Sequence, residues 1–183
     1  LSCFDPIRRE VAALALQKLL KDGRVHPGSV EDTVKNIKND LAREIKKTGE
    51  KIAYDTGFSD LPMEVIKLLG RFKYRFSYGQ NLIKHSLEMV NLGAQLAAEV
   101  GADVNMVKKA CLLHDIGKVL THEIEGKAHH HISGDIVRKY MKDEVLANAV
   151  ESHHGDIEPK TIEAVLVSIA DAISGARPGA RKD

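Results

Sequence analysis

With 183 residues, the chain is long enough for one well-buried domain and too short for three. Its 43% hydrophobic and 29% charged residues are typical of a globular protein, and a formal charge of +1 means that any affinity for nucleic acid must come from local clustering. Cys3 and Cys111 form neither a CxxC motif nor a disulfide framework, which favours a reducing, cytoplasmic setting. No run of about 18 apolar residues predicts a membrane-spanning helix.

The first part of the chain predicts three helices. Asp5-Pro6 starts the first helix and Asp22-Gly23 ends it. A linker over residues 23–29 leads to a long polar helix from Ser29 toward Lys51, whose narrow apolar seam packs one face only. A short helix over residues 61–69 ends at Gly70.

An aromatic and basic segment follows this third helix. Between Arg71 and Tyr78, four aromatic residues alternate with three cations. Stacking rings interleaved with phosphate-neutralising charges are typical of a surface for single-stranded nucleic acid, so Arg71, Lys73, Arg75 and Tyr78 are candidate RNA contacts. The alternative is that the rings face the core while the cations face water, and the spacing does not decide between the two.

Two histidines and a carboxylate are predicted to turn inward from the next two helices. His85 lies on the apolar face of a helix over residues 80–100, and His114 lies on the apolar stripe of a helix over residues 104–114. Asp115 follows His114 directly, so only a helix end or kink can aim both side chains at one ion. Gly117 is expected to let the chain change direction there.

The last predicted helix, over residues 161–173, is apolar almost all round and is therefore expected to be buried on nearly every side. It nevertheless contains Asp171. Burying an unpaired carboxylate costs several kcal/mol, so a cation from outside the chain is its most economical partner.

Further histidines lie between these elements. His129, His130 and His131 are consecutive, and since neighbouring helical residues point about 100° apart, only one of them is expected to face a common site. His153 and His154 form a pair at a helix end just before a turn.

The set predicts a metal centre. His85, His114, Asp115 and Asp171 are ligands suited to Mn, Fe, Zn or Mg with room for water or substrate. His130, His153 and His154 are candidates for holding a second ion, with Asp115 as the catalytic carboxylate that bridges the two. Two such ions clamp a phosphate and activate water, so the expected reaction is phosphate-ester hydrolysis, with Lys118 neutralising phosphate charge.

This order of His, His-Asp and Asp resembles the HD superfamily of metal-dependent phosphohydrolases, which are all-α helical bundles. Longer motifs are similar to the ribonuclease Y family. They are Phe4 to Glu10, Ser77 to Asn81 before His85, Leu113 to Lys118, Ser152 to Asp156, and Ala170 to Ala172 leading into Ala176 to Arg181. That family has one histidine where this chain has three, and the spacing to Gly134 selects His130 as the match.

The resemblance implies an endoribonuclease that cuts single-stranded RNA with one or two divalent ions and initiates bacterial mRNA decay. It implies the end of a KH-like domain at 1–22, a linker and long helix at 23–60, and the HD domain at 61–183. The full-length family member is a homodimer with possible mRNA-decay protein partners. The resemblance further implies an anchor at the cytoplasmic face of the membrane through an N-terminal helix that precedes this chain, while this fragment itself is expected to make no membrane contact. The family's last helix is expected to follow Asp183.

Two other functions remain open. One is a phosphodiesterase acting on cyclic or small nucleotides, as other HD proteins do, which needs no RNA surface. The other is a non-catalytic module in which the metal only stabilises the bundle. The full set of candidate ligands disfavours this second alternative, since structural sites are typically closed and need fewer groups.

Overall fold

The computed structural model describes residues 1–23, 26–77, 79–124 and 126–176. Within these ranges the fold is a bundle of α-helices, which confirms the predicted all-α class. The helices are α1 (Pro6–Asp22), α2 (Pro27–Thr56), α3 (Met63–Gly70), α4 (Leu82–Val100), α5 (Val104–Leu113), α6 (His129–Met141), α7 (Glu144–Glu151) and α8 (Ile162–Ala176). Three short 3₁₀ turns lie at Arg71–Tyr74, Ile116–Val119 and Ser152–His154, and a small antiparallel hairpin pairs β1 (Phe76–Ser77) with β2 (Gln80–Asn81).

Helix starts follow the capping signals of the sequence. The Asp5 side chain caps α1 by accepting a hydrogen bond from the Ile7 amide at 2.8 Å. Helix α2 begins at Pro27, two residues earlier than predicted, because His26 serves as its N-cap: His26 Nδ1 accepts from the Ser29 amide at 3.2 Å, and Ser29 Oγ accepts from the His26 amide at 3.1 Å. The predicted linker over 23–29 is therefore shorter than expected.

Helices α2 and α3 pack in close backbone contact. A Cβ atom on Gly49 would lie 1.9 Å from the carbonyl oxygen of Ile66, and one on Gly70 would lie 1.9 Å from that of Ile45. Only glycine fits at both positions, and this reciprocal contact fixes α3 against the second half of α2.

Two hydrophobic clusters divide the described chain. The main core is formed by the second half of α2 and by α3 to α8, with Phe72, Leu69, Leu82, Met89, Leu112, Leu113 and Ile116 among its largest fully buried side chains. A small second cluster joins α1 to the first half of α2 through Val11, Ala15, Ile37 and Leu41. The 30-residue α2 thus spans both clusters.

The expectation that α8 is buried on nearly every side is wrong. Ala164, Val167 and Ala170 are fully buried, whereas Ile162, Val165, Ile169 and Ile173 are 37% to 53% exposed and form one apolar stripe. The helix lies at the edge of the bundle, packed on α4, α5 and α7, so the opposite face is left without a covering element among the described residues.

Within the described ranges, no helix combines the length and the apolar character that crossing a membrane requires.

Candidate metal centre

The end of α5 brings two adjacent side chains to one place. His114 follows the last residue of α5 with helical angles, and Asp115 then leaves the helix at φ −101° and ψ 7°. Both residues are almost completely buried. Because the helix ends between them, their side chains are no longer held about 100° apart, and both face the cleft.

Gly117 is needed for close packing rather than for an unusual backbone angle. Its φ is not positive, and a Cβ atom here would lie 2.1 Å from the carbonyl oxygen of His129. Its amide donates a hydrogen bond to Ser133 Oγ at 2.8 Å. Gly117 therefore lets the start of α6 lie against the turn after Asp115, which is what brings His129 to that carboxylate.

The four ligands predicted for the first ion lie together. The Nε2 atoms of His85 and His114 are 3.1 Å apart. Asp115 Oδ2 is 3.6 Å from His85 Nε2 and 3.4 Å from His114 Nε2, and Asp171 Oδ1 lies 3.5 Å and 3.8 Å from the same two atoms. Asp171 is less buried than expected, since its side chain is 29% exposed and borders the open side of the cleft.

His129 occupies the place predicted for His130. His129 Nε2 is 3.3 Å from Asp115 Oδ1 and 2.9 Å from His154 Nε2, and His129, His153 and His154 form one group of potential ligands. His130 instead directs its Nε2 to Asp156 Oδ2 at 2.7 Å. The spacing to Gly134 selected His130, but Gly134 packs on the Glu151 side chain and does not fix which of the three histidines faces Asp115.

Hydrogen bonds orient two of the imidazoles so that Nε2 of each ring faces the site. Nδ1–H of His114 donates to the Cys111 carbonyl oxygen at 2.8 Å, and Nδ1–H of His153 donates to that of Val150 at 2.6 Å. Such bonds leave Nε2 of the neutral ring as a lone-pair donor directed into the site.

Two polar atoms of the centre fit a cation. Across the described residues, Asp115 Oδ1 and His153 Nε2 are buried without any hydrogen-bond partner. An unsatisfied buried polar group costs about 1 to 3 kcal/mol, more if it is charged. Both atoms are electron-pair donors, and a divalent ion is a partner that satisfies them together.

The pKa shifts in the site also favour a bound cation. Burial alone would raise the pKa of Asp115, but nearby His114 outweighs it and holds the pKa of this carboxyl well below its usual range. Burial opposes protonation of His114, yet the Asp115 carboxylate raises its pKa overall. Burial and the neighbouring His114 lower the pKa of His153 to about 3, so this ring is neutral at physiological pH. The two carboxylates thus attract positive charge, and His153 remains free to coordinate it.

Lys118 reaches the same carboxylate from the cleft side. Its Nζ lies 2.7 Å from Asp115 Oδ2 and 3.4 Å from the hydroxyl of Ser77 in the hairpin. The cleft above the centre has a volume of about 140 Å³ and is open to solvent, and Ser77 and Gln80 line it together with His85, Lys118 and Asp171. Lys118 is therefore placed to meet an anion that approaches the metal centre.

The segment predicted to contact RNA is largely engaged with the protein. Arg71 pairs with Glu123 at 2.9 Å and Lys73 pairs with Glu44, while Arg75 Nη2 lies 3.5 Å from Thr121 Oγ1. Phe72 is fully buried, in agreement with the alternative that the rings face the core, but Phe76 is 64% exposed. Tyr78 lies outside the described residues.

Two buried serines that support the candidate site were not among the residues predicted from the sequence. Ser174 Oγ lies 3.2 Å from His85 Nδ1 and is buried, and Ser133 receives the Gly117 amide. The position of Ser174, three residues after Asp171 and hence on the same face of α8, was an available signal. Nothing in the sequence linked Ser133 to Gly117.

The family model for the HD domain matches residues 82–176, which include every candidate ligand above. The chain belongs to the HD domain family. Over all 183 residues it is 52% identical to "Ribonuclease Y" of Alkaliphilus metalliredigens (strain QYMF), 51% identical to that of Clostridium botulinum (strain Hall) and 52% identical to that of Desulforamulus reducens. It spans 38% of the length of the first relative and 36% of the other two. No solved structure matches the chain significantly.

The match to the HD domain begins at Leu82 and leaves α1, α2 and α3 outside it. HD domains depend on metal ions, and the described residues of this one contain groups of histidine and aspartate that suit such an ion. The domain boundaries at residues 22 and 60 and the KH-like origin of α1 stay predictions.

Proposed function

We propose that this chain is the HD part of a metal-dependent endoribonuclease that hydrolyses phosphodiester bonds within single-stranded RNA and so initiates mRNA decay. The similarity to proteins named Ribonuclease Y over the whole chain supports a nuclease, and the HD domain supports metal-dependent phosphohydrolase chemistry. The ions we propose are one or two of Mn, Mg, Zn or Fe, since the same nitrogen and oxygen ligands suit all four.

The observation that carries this proposal is the position of the two oxygens of Asp115. Oδ2 faces His85 and His114, whereas Oδ1 faces His129, so this carboxylate stands between two groups of potential ligands. We propose His85, His114, Asp115 and Asp171 for one ion, and His129, His153 and His154 with Asp115 for a second. Bound there, two divalent ions would polarise a phosphate and lower the pKa of a water molecule.

The chain's own side chains supply the rest of the chemistry. Lys118, already 2.7 Å from Asp115 Oδ2, would neutralise charge that develops on phosphate oxygens. Hydrogen bonds from His114 and His153 to backbone carbonyls keep both rings oriented toward the site.

The size of the cleft favours a polymer over a small nucleotide. Pockets that enclose small ligands typically occupy about 300 to 1,000 Å³. At about 140 Å³, this cleft lies below that range, which supports a substrate that is bound mostly outside it. An RNA backbone that crosses the surface would bind in this way, and Phe76, which is 64% exposed in the hairpin, is a candidate for stacking on an unpaired base.

The test is cleavage of a single-stranded RNA oligomer and of a cyclic dinucleotide by the same preparation, with Mn²⁺ or Mg²⁺. We expect internal cleavage of the RNA, abolished by Asp115→Asn and retained by Asp40→Asn, a matched change at an exposed carboxylate on α2. Cleavage of the dinucleotide alone would favour the small-nucleotide phosphodiesterase. Cleavage of neither, with metal bound, would favour the non-catalytic module.

For the full-length protein we further propose a homodimer that is anchored at the cytoplasmic face of the membrane and works with other mRNA-decay proteins. The support is the resemblance to the ribonuclease Y family, together with the fact that the relatives are more than twice as long as this chain. Membrane fractionation and sedimentation of the full-length protein test these two properties.

A further inference from the structure

A third group of potential ligands lies beside the proposed catalytic centre and is not used by it. His130 and His131, at the start of α6, both turn to Asp156, which follows the 3₁₀ turn Ser152–His154. Asp156 Oδ2 is 2.7 Å from His130 Nε2 and 3.3 Å from His131 Nε2. The three ligand atoms lie within 4.8 Å of one another.

These residues border the catalytic set but direct their ligand atoms away from it. The His130 ring lies 5.0 Å from the His154 ring and 6.0 Å from the His153 ring, while its Nε2 faces Asp156. His129 points to Asp115, whereas the next two residues of α6 point to Asp156, and none of the described contacts of His131 reaches His85, His114, Asp115 or Asp171. His131 and Asp156 are half exposed, with side chains 37% and 47% accessible, while His130 is buried. The group therefore opens to solvent on one side and is closed by the protein on the other.

The spacing of the three atoms suits a tetrahedral ion. Ligand atoms about 2.1 Å from zinc at tetrahedral angles lie about 3.4 Å apart. The separation between His131 and Asp156 already matches this value. The contact between His130 and Asp156 is shorter than this value, and Asp156, whose side chain is 47% exposed, would have to shift to accept an ion between them.

We propose that His130, His131 and Asp156 form a binding site for one divalent transition-metal ion such as Zn²⁺, distinct from the HD centre. Two imidazoles and a carboxylate are the ligand types that zinc accepts, and the open side leaves a fourth position for water or an incoming group. The site accounts for two of the three consecutive histidines, which the catalytic centre leaves unused. It does not depend on the proposed ribonuclease activity.

The experiment counts zinc bound to the purified protein by elemental analysis after equilibrium dialysis against a series of fixed free Zn²⁺ concentrations. His131→Ala and Asp156→Asn each remove one ligand at an exposed position, so both variants are expected to fold, which circular dichroism and thermal unfolding check. Asp135→Asn is the matched control. Asp135 is also an exposed carboxylate, but it lies on α6 and pairs with Lys127.

We expect the wild type and Asp135→Asn to bind one zinc ion more than His131→Ala and Asp156→Asn, or to bind that ion at least about tenfold more tightly. We expect Asp115→Asn to lose zinc from the HD centre and to retain this ion, which separates failure of one site from failure of the other. Equal zinc binding by His131→Ala and the wild type would overturn the proposal. So would loss of the ion in Asp156→Asn alone, because His131 would then not be a ligand.

Discussion

At the level of single residues, neighbours in the sequence face different groups of the candidate site. His129 contacts Asp115, while His130 and His131 contact Asp156, because successive side chains of α6 leave the helix in different directions. His114 and Asp115 face one cleft because the helix ends between them. Local backbone geometry thus determines which carboxylate each histidine faces.

Asp171 provides a test of the first ion's ligand set. Burial raises its pKa, but the hydrogen bond with His85 and the charge of His114 outweigh this effect and hold the pKa of Asp171 below its usual value, so the carboxylate is charged. Asp171→Asn keeps the shape and removes the charge. We expect affinity for Mn²⁺ to fall at least about tenfold, since even residues that only support metal ligands have effects of this size.

Two measurements compare the wild type with Asp171→Asn: the Mn²⁺-induced rise in the midpoint of thermal unfolding, and calorimetric titration with Mn²⁺. The control is Asp40→Asn, which changes an exposed carboxylate on α2. Asp103→Asn would not serve, because the Asp103 side chain caps α5. An unchanged affinity in Asp171→Asn would remove Asp171 from the proposed ligand set.

The buried thiol of Cys111 is expected to be unreactive in the folded protein. Burial, reinforced by the charge of Asp171, raises the pKa of the Cys111 thiol to about 12. At pH 8 only about one thiol in ten thousand would be ionised, and the thiolate is the reactive form. We expect iodoacetamide at pH 8 to label exposed Cys3 and to leave Cys111 unlabelled until urea is added, as measured by mass spectrometry of the two peptides. Equal labelling of both cysteines in the native protein would contradict this burial.

At the level of helices, two close backbone contacts define how α3 sits on α2. Gly49 and Gly70 each lie where a Cβ atom would meet a carbonyl oxygen of the opposite helix at 1.9 Å. Backbone cannot move aside as a flexible side chain does, so any larger residue must push the two helices apart.

We therefore expect Gly49→Ala to destabilise the protein by about 1 to 3 kcal/mol or more, the range for overpacking a core. The control is Gly28→Ala in the same helix, where the new Cβ would have only an ordinary contact of 3.6 Å with the His26 ring. Since alanine is the better helix former by about 1 kcal/mol, Gly28→Ala should be neutral or stabilising. Urea unfolding measures the free energy of unfolding of both variants. Equal changes in the two variants would contradict the close packing of α2 on α3.

At the level of the whole molecule, the two hydrophobic clusters differ greatly in size. Helix α1 is held by the small cluster of Val11, Ala15, Ile37 and Leu41, while α5 and α7 are buried in the main core. Parts of a protein with few buried apolar contacts open at lower free energy than its core.

We expect amide protons in the middle of α1 to exchange with solvent faster than those in the middle of α5. Native-state hydrogen exchange resolved by peptide measures both helices in one sample, and comparing helix centres avoids the fraying of helix ends. Exchange at the same rate throughout would mean that α1 and the HD domain unfold as one cooperative unit.

The sequence by itself determined the class of fold and predicted the first group of candidate ligands. Proline and aspartate at helix starts, glycine at helix ends and apolar spacing predicted most helices, because these signals act within a few residues of chain. His85, His114 and Asp115 were found because each is a polar residue on or beside an apolar helix face. The packing of α8 on α4 and α5 then brings Asp171 close to these three residues.

Tertiary structure alone decided which histidine faces Asp115, why residue 117 is glycine, and that one face of α8 is exposed. Each depends on contacts between segments distant in sequence, such as the approach of Gly117 to the start of α6 and the position of α8 at the edge of the bundle. The pairing of Arg71 with Glu123 and of Lys73 with Glu44 is of the same kind. Such contacts arise only when the helices pack, so a pattern of residues along one segment cannot specify them.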